Sequence, residues 1–256
     1  MKSPTVVAIG KTGDLIILDK GNGRILFTDI LGELTKDPIN LGVFVPVDMT
    51  VNQNDNIILI SRHLIKVLGR DGQLDVQFLP IMKINKDMPN LTGVASNSDL
   101  CIFVCDSQNK EVQCFKKDGV FIRLIRLDDS FLSPQRLAFI DKTTMVISDI
   151  VNSNVKLIDI SNEQFMKPQL LGEYGVCPGE FNEPKSISVD ADNNVLIADS
   201  GNHRIQVFDT HNQVCATFGR LGSRQGCLDR PCSVAVHPIG FVIVADTKND
   251  RIVVFS

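Results

Sequence analysis

The side chains best suited to chemistry in this chain are charged groups in a recurring pattern. Asp199, Asn202 and Arg204 stand in the order Asp-x-x-Asn-x-Arg, and Asp246, Asn249 and Arg251 repeat it. A carboxylate at the head of a turn accepts hydrogen bonds from turn backbone N–H groups, and an arginine a few residues on pairs with it or with a neighbouring element. The simplest role for these residues, and for Asp19, Asp106 and Asp149 in related settings, is therefore a structural turn. Around the last two copies lies the densest group of cations: Arg220, Arg224, Arg230, Lys248 and Arg251, with His203 and Arg204. Such a group neutralises phosphates or acidic partners when it is free, and forms a solvated rim when Asp229 and Asp250 pair with it.

Enzymatic constellations are missing from the sequence. The four histidines, at 63, 203, 211 and 237, fall in turns or at their edges, and no Ser-His-Asp order, P-loop or GxSxG motif occurs. The seven cysteines contain no CxxC pair; Cys101 and Cys105 lie far from Cys227 and Cys232, so a structural zinc site lacks its usual paired spacing. No metal and no cofactor is expected. Cysteines inside apolar runs such as Cys101-Ile102-Phe103-Val104-Cys105 fit free thiols in a reducing compartment. The apolar run at the start is too short for a signal peptide, and no run of 18 apolar residues occurs; the expectation is a soluble, cytoplasmic chain with no membrane contact. A net charge of −4 disfavours DNA and other non-specific nucleic-acid binding.

The elements that must position these groups follow from a repeat. Asp19, a degenerate Ser61, Asp106, Asp149, Asp199 and Asp246 each end an apolar run, and they are spaced by 42 to 50 residues. That period excludes short solenoid repeats and matches a propeller blade of four short strands. Runs of four to six Val, Ile, Leu and Phe residues alternate with turns such as Thr12-Gly13-Asp14, Arg70-Asp71-Gly72 and Asp192-Asn193-Asn194. The fold read from this is all-β: one six-bladed β-propeller over 1–256, with units near 1–37, 38–80, 81–127, 128–171, 172–219 and 220–256. In the fifth unit the four antiparallel strands run from Ser186, Val195, Ile205 and Val214.

At the Asp-x-x-Asn-x-Arg pattern followed by Val-Phe, the sequence resembles the NHL-repeat family. Phe218-Gly219-Arg220-Leu221-Gly222 and Leu171-Gly172-Glu173-Tyr174-Gly175 are similar to its FGxxG linker, and Pro178-Gly179-Glu180-Phe181-Asn182-Glu183-Pro184 to its PGxFxxP blade entry. The resemblance implies six blades. It also implies a setting at the C-terminus of tripartite-motif proteins, behind a RING finger, B-boxes and a coiled coil, in ubiquitin ligases and post-transcriptional regulators. A catalytic ligase part would then lie outside this chain. The implied role is a non-catalytic platform that binds a protein partner or ubiquitination substrate, with single-stranded or hairpin RNA as the alternative ligand. Related propellers that bind metal use His and acidic residues on inner strands; here those strands carry no His, and Asp48 is their single carboxylate.

In four-stranded blades, the loop between strands two and three shares a face with the linker to the next blade. Placing the sequence on that frame puts 17 cations there, among them Lys20, Arg62, Arg136 and Lys185, against 15 acids, giving that face about +2 and the opposite face about −6. The expected binding residues are Tyr174, His203, Arg204, Arg220, Arg224, Arg230, Lys248 and Arg251. Base-stacking platforms are few: the chain has no Trp and one Tyr, and among Phe44, Phe131 and Phe181 the first and last are expected to plug blade junctions. The sequence starts on an inner strand and ends on a third strand, so 23 strands stand where six full blades need 24. The last blade is expected to lack its outer strand here, as in a propeller whose other terminus supplies it. A chain extended upstream of Met1 should then melt higher than residues 1–256; an unchanged melting temperature counts against this closure.

Overall fold

A computed structural model describes residues 1–161 and 167–256 and forms six antiparallel sheets around an axis. Blade one is β1 (Pro4–Ile9), β2 (Leu15–Asp19), β3 (Arg24–Thr28) and β4 (Leu34–Asn40). Blade two is β5 (Asp48–Val51), β6 (Ile57–Ile60), β7 (Ile65–Leu68) and β8 (Leu74–Phe78). Blade three is β9 (Leu91–Ser96), β10 (Ile102–Asp106), β11 (Glu111–Phe115) and β12 (Phe121–Arg126). Blade four is β13 (Pro134–Phe139), β14 (Thr144–Asp149), β15 (Asn154–Asp159) and β16 (Gln169–Gly172). Blade five is β17 (Pro184–Val189), β18 (Val195–Asp199), β19 (Arg204–Phe208) and β20 (Val214–Phe218). Blade six has three strands: β21 (Ser233–Val236), β22 (Val242–Asp246) and β23 (Arg251–Phe255).

Burial explains the sequence of each strand type. The second strands are covered on both faces by neighbouring blades, and Leu15–Asp19, Ile57–Ile60, Ile102–Asp106 and Val195–Asp199 are buried throughout. They read as unbroken apolar runs for that reason. Outer strands such as Leu34–Asn40 and Val214–Phe218 face water along most of their length and carry mixed sequences.

Six hydrophobic clusters hold the ring, one at each blade junction. Between blades one and two, Leu18 and Phe27 meet Met49 and Leu59; between blades five and six, Leu196 and Ile205 meet Val234 and Val244. Side chains also stitch adjacent inner strands. Asp48 Oδ2 accepts the Val94 N–H at 2.9 Å, Ser186 Oγ accepts the Val234 N–H at 3.3 Å, and Ser233 Oγ accepts the Val7 N–H at 3.1 Å. The last bond closes the ring between blades six and one.

The missing outer strand of blade six leaves β23 with a free edge. A cavity of about 500 Å³ runs along it, lined by Arg251–Ser256 with Gln225 and Gly226. An edge of this kind presents unpaired N–H and C=O groups to solvent. Native-state hydrogen exchange should therefore find the outward amides of β23 exchanging much faster than those of β19, which β20 covers; equal protection of the two strands would contradict a free edge.

Candidate interaction face

The loop face is organised by five buried carboxylates. Asp19, Asp106, Asp149, Asp199 and Asp246 end their strands with no exposed surface. Each accepts a backbone N–H from the linker that enters its own blade: Lys2, Asn90, Leu132 and Ser133, Asn182 and Asp229 respectively, at 2.6 to 2.9 Å. An asparagine three residues on donates its Nδ2 to the carboxylate Oδ2 in all five blades, from Asn22, Asn109, Asn152, Asn202 and Asn249, at 2.8 to 2.9 Å. A carboxylate accepts several hydrogen bonds at once, and burial here is tolerated because its lone pairs are filled. In blades one, five and six a 3-10 turn follows, ending on a left-handed residue: Gly23, His203 at φ +57° and Asp250 at φ +53°. Blade two, with Ser61, makes instead a tight turn in which the Ser61 N–H donates to Leu64 O.

The arginines of the pattern act as struts. Arg204 Nε donates to Asp199 at 2.7 Å, and its other nitrogens donate to the carbonyls of Val176, Cys177 and Glu180, each at 2.8 Å. Arg251 does the same with Asp246 and the carbonyls of Ser223, Arg224 and Cys227. Both guanidinium groups sit on the expected face, yet their donors are consumed in holding the preceding linker, so they shape the surface without being free to bind a ligand. Blade three reverses the polarity: Glu111 occupies the arginine position, 3% exposed, and Lys83 from the linker reaches it at 2.7 Å.

A further set of holding residues carries no motif and escapes the sequence. Two residues past the arginine position, Gln206 Oε1 accepts the Gly179 N–H while its Nε2 donates to Glu180 O. Gln113 bridges both backbone groups of Ile81, and Lys156 Nζ donates to Ser130 O. The signal was available as Gln or Lys in the middle of an otherwise apolar third strand.

The remaining expected residues divide into two kinds. Arg230 pairs with Glu183 at 2.6 Å, and the His203 ring Nδ1 takes the Arg230 N–H at 3.1 Å beside Asp229. These knit blade five to the entry of blade six. Arg220, Arg224 and Lys248 are exposed and make no ion pair among the described residues. Tyr174 is 71% exposed, whereas Phe131 and Phe181 are fully buried and Phe44 lies under Lys66. The linkers of this face also carry apolar side chains that no motif in the sequence marks. Val43, Val45, Met82, Ile84, Met88, Leu132, Val151, Tyr174, Val176 and Leu221 all project from its linkers and turns as exposed large hydrophobic side chains.

At the axis, Asp48 of blade two forms an ion pair with Arg136 of blade four, and Arg136 Nη2 also donates to Val47 O at 3.2 Å. The pair spans blade three, whose inner strand has Gly93 at the matching position. A Cβ at Gly93 would lie 2.1 Å from Gln135 O and 3.0 Å from Arg136 Cα, so glycine is what lets blade four close up here. Burial pulls the Arg136 guanidinium down to about 10, which leaves it charged at neutral pH.

The turn carboxylates differ in their titration. For Asp19 burial acts upward, but hydrogen bonds from Asn22, the Lys2 N–H and Arg24 outweigh it and hold the group below its ordinary 3.8. For Asp199 burial prevails over the bonds from Asn182, Asn202 and Arg204, and the group is raised. A lowered group stabilises the fold above its unfolded pKa, and that contribution is lost as pH falls through the folded value; a raised group contributes at low pH and loses that contribution as pH rises. Asp19→Asn should therefore flatten the acid limb of a stability–pH curve below about pH 4, whereas Asp199→Asn should not; equal flattening would contradict the difference. Removing a strut leaves a buried carboxylate short of a partner, so Arg204→Ala should lower unfolding stability by about 3 kcal/mol, against about 0.5 kcal/mol or less for Arg220→Ala. Denaturant titration of the two variants decides this, and equal losses would mean that Arg204 is not a strut.

A family model described as NHL repeat matches residues 181–208, the stretch from the plug Phe181 to the end of β19. Among curated proteins, the chain is 45% identical over 57 residues to Protein brain tumor of Drosophila melanogaster, covering 22% of this chain and 6% of that protein. It is 50% identical over 38 residues to B-box type zinc finger protein ncl-1 of Caenorhabditis elegans, covering 15% and 4%. It is 41% identical over 80 residues to mouse NHL repeat-containing protein 3, covering 31% and 23%. The matched segments thus span less than a quarter of each relative. Among solved structures, a streptogramin B lyase superposes with a TM-score of 0.67 at 12% identity over 96% of this chain and 91% of that one. A protein from Bacteroides thetaiotaomicron gives 0.75 at 16% identity over 98% and 68%. At such identities the two structures report the fold alone. The chain is thus a six-bladed β-propeller whose fifth blade carries a recognisable NHL repeat over residues 181–208.

Proposed function

We propose that this propeller is a non-catalytic recognition platform whose loop face docks a protein partner. The observation that carries the reading is the row of exposed apolar side chains on the linkers of that face, from Val43 and Val45 through Met82, Ile84 and Met88 to Leu132, Tyr174 and Val176. So many large apolar side chains exposed on the linkers of one face favour a partner that covers them. The buried struts beneath hold the linkers in place, so the surface is preorganised for docking. The B-box in the name of one relative supports a tripartite-motif setting, and within it the partner would be a ubiquitination substrate of an E3 ligase.

RNA recognition on the same face is the second reading, favoured by the free cations Arg220, Arg224 and Lys248. With Tyr174 as the exposed aromatic of this surface, single-stranded bases find little to stack on. Two arms separate the readings. Filter binding of pooled U-rich and hairpin RNAs across a salt series should show no binding that charge reversal at Arg220, Arg224 and Lys248 abolishes. Crosslinking in cells should capture a protein whose yield falls at least about tenfold with Ile84→Glu and Val43→Glu, by the usual cost of burying an unpaired charge at an interface. Salt-dependent RNA binding lost on charge reversal, with capture indifferent to the apolar variants, would replace the protein reading by the RNA one.

A further inference from the structure

Where the central channel opens on the loop face, four blades converge on a recess of about 180 Å³. Thr5 and Lys20 come from blade one, Gln135 and Arg136 from blade four, Lys185 from blade five, and Cys232 from the entry to blade six. Three of these side chains are cations, and the single acid paired within the group is Asp48, on Arg136. Among the described residues, Lys20 and Lys185 make no ion pair. Burial and the nearby charges of Arg136 and Arg62 pull the Lys20 ammonium below its ordinary 10.5, the electrostatic cost of cations crowded without enough anions. Thr5 Oγ1, which lines the same recess, is buried and has no hydrogen-bond partner. Such a hydroxyl costs stability unless something fills its bond. Uncompensated positive charge thus faces one small space, and a residue on its wall carries a hydroxyl left without a partner among the described residues.

We propose that this recess is a binding site for a terminal oxyanion, either a phosphate monoester or a carboxylate, held by Lys20, Arg136 and Lys185. Size and access define the class. The recess is small, and its cations come from three different blades, which suits an end group. A phosphodiester within a chain must carry substituents out on two sides, and a recess walled by blades one, four and five takes an end group more readily. The site is separate from the rim of Arg220, Arg224 and Lys248, and the inference does not rest on what docks there.

Inorganic phosphate and succinate are the probes. Each is titrated into the whole chain by calorimetry and by thermal melts against chloride at matched ionic strength, for wild type and for the Lys20→Ala/Lys185→Ala double variant. Lys20 and Lys185 belong to none of the six hydrophobic clusters, so the variant keeps the core intact. Binding by at least one probe should weaken about tenfold or more in the double variant, with Tm rising by about 3 °C in wild type at ten times Kd. Arg220→Glu should leave that binding unchanged. Alkylation of Cys232, followed by peptide mass mapping, should slow when the bound probe occupies the recess, while the exposed Cys177 and Cys215 react as before. Phosphate alone binding would assign the phosphate monoester, and succinate alone the carboxylate. No binding by either probe, or binding that is indifferent to the double variant and leaves Cys232 unprotected, overturns the proposal.

Discussion

The bond on which the rest of the loop face depends is the one between a buried turn carboxylate and the backbone of the linker entering its blade. A linker between blades is 7 to 14 residues of irregular backbone, too long to be fixed by its ends alone. The carboxylate at the end of the second strand takes its N–H, the asparagine three residues later takes the second oxygen, and the arginine or its substitute ties the linker carbonyls. Polar groups buried in this way specify one geometry, because any slip leaves a charge without partners. The outcome is that the chain entering five of the six blades is tied to the strand end beneath it. Apolar side chains can therefore be displayed on the linkers without collapsing into the core.

This arrangement separates two roles that look alike along the chain. Arg204 and Arg220 are both cations in the fifth and sixth repeats, yet the first is a strut and the second is free. Counting charge on a face therefore overstates what a ligand meets. The same holds at the axis, where Arg136 is partly neutralised by Asp48 while Lys20 and Lys185 are not. What remains available is a sparse set of cations at the rim, a second set at the channel mouth, and the apolar side chains exposed on the linkers.

Much of the fold is legible in the sequence because the repeat fixes register. Five aspartates and Ser61, 42 to 50 residues apart, set the blade count, and apolar runs ending on them set the strands; the three-stranded last blade follows from where Phe255 falls. The site is less legible. The pairing of Asp48 with Arg136 joins blades two and four across Gly93, a contact that depends on ring geometry and leaves no local pattern. Exposed hydrophobic residues such as Val43 and Ile84 sit in linkers of irregular sequence, where periodicity gives no indication of which side faces water. The asparagines at 22, 109 and 152 were visible at the same spacing as Asn202 and Asn249, and their uniform use shows that the turn motif covers five blades.

The most direct test of the carboxylate clamp is residue-resolved hydrogen exchange on Asp199→Ala. The amides of Gly175, Phe181 and Asn182, in the linker that this carboxylate anchors, should lose protection while those of β18, β19 and the other five blades keep theirs. Unchanged protection of the linker, or a uniform loss across the whole ring, would contradict the claim that each carboxylate fixes its own stretch of the interaction face.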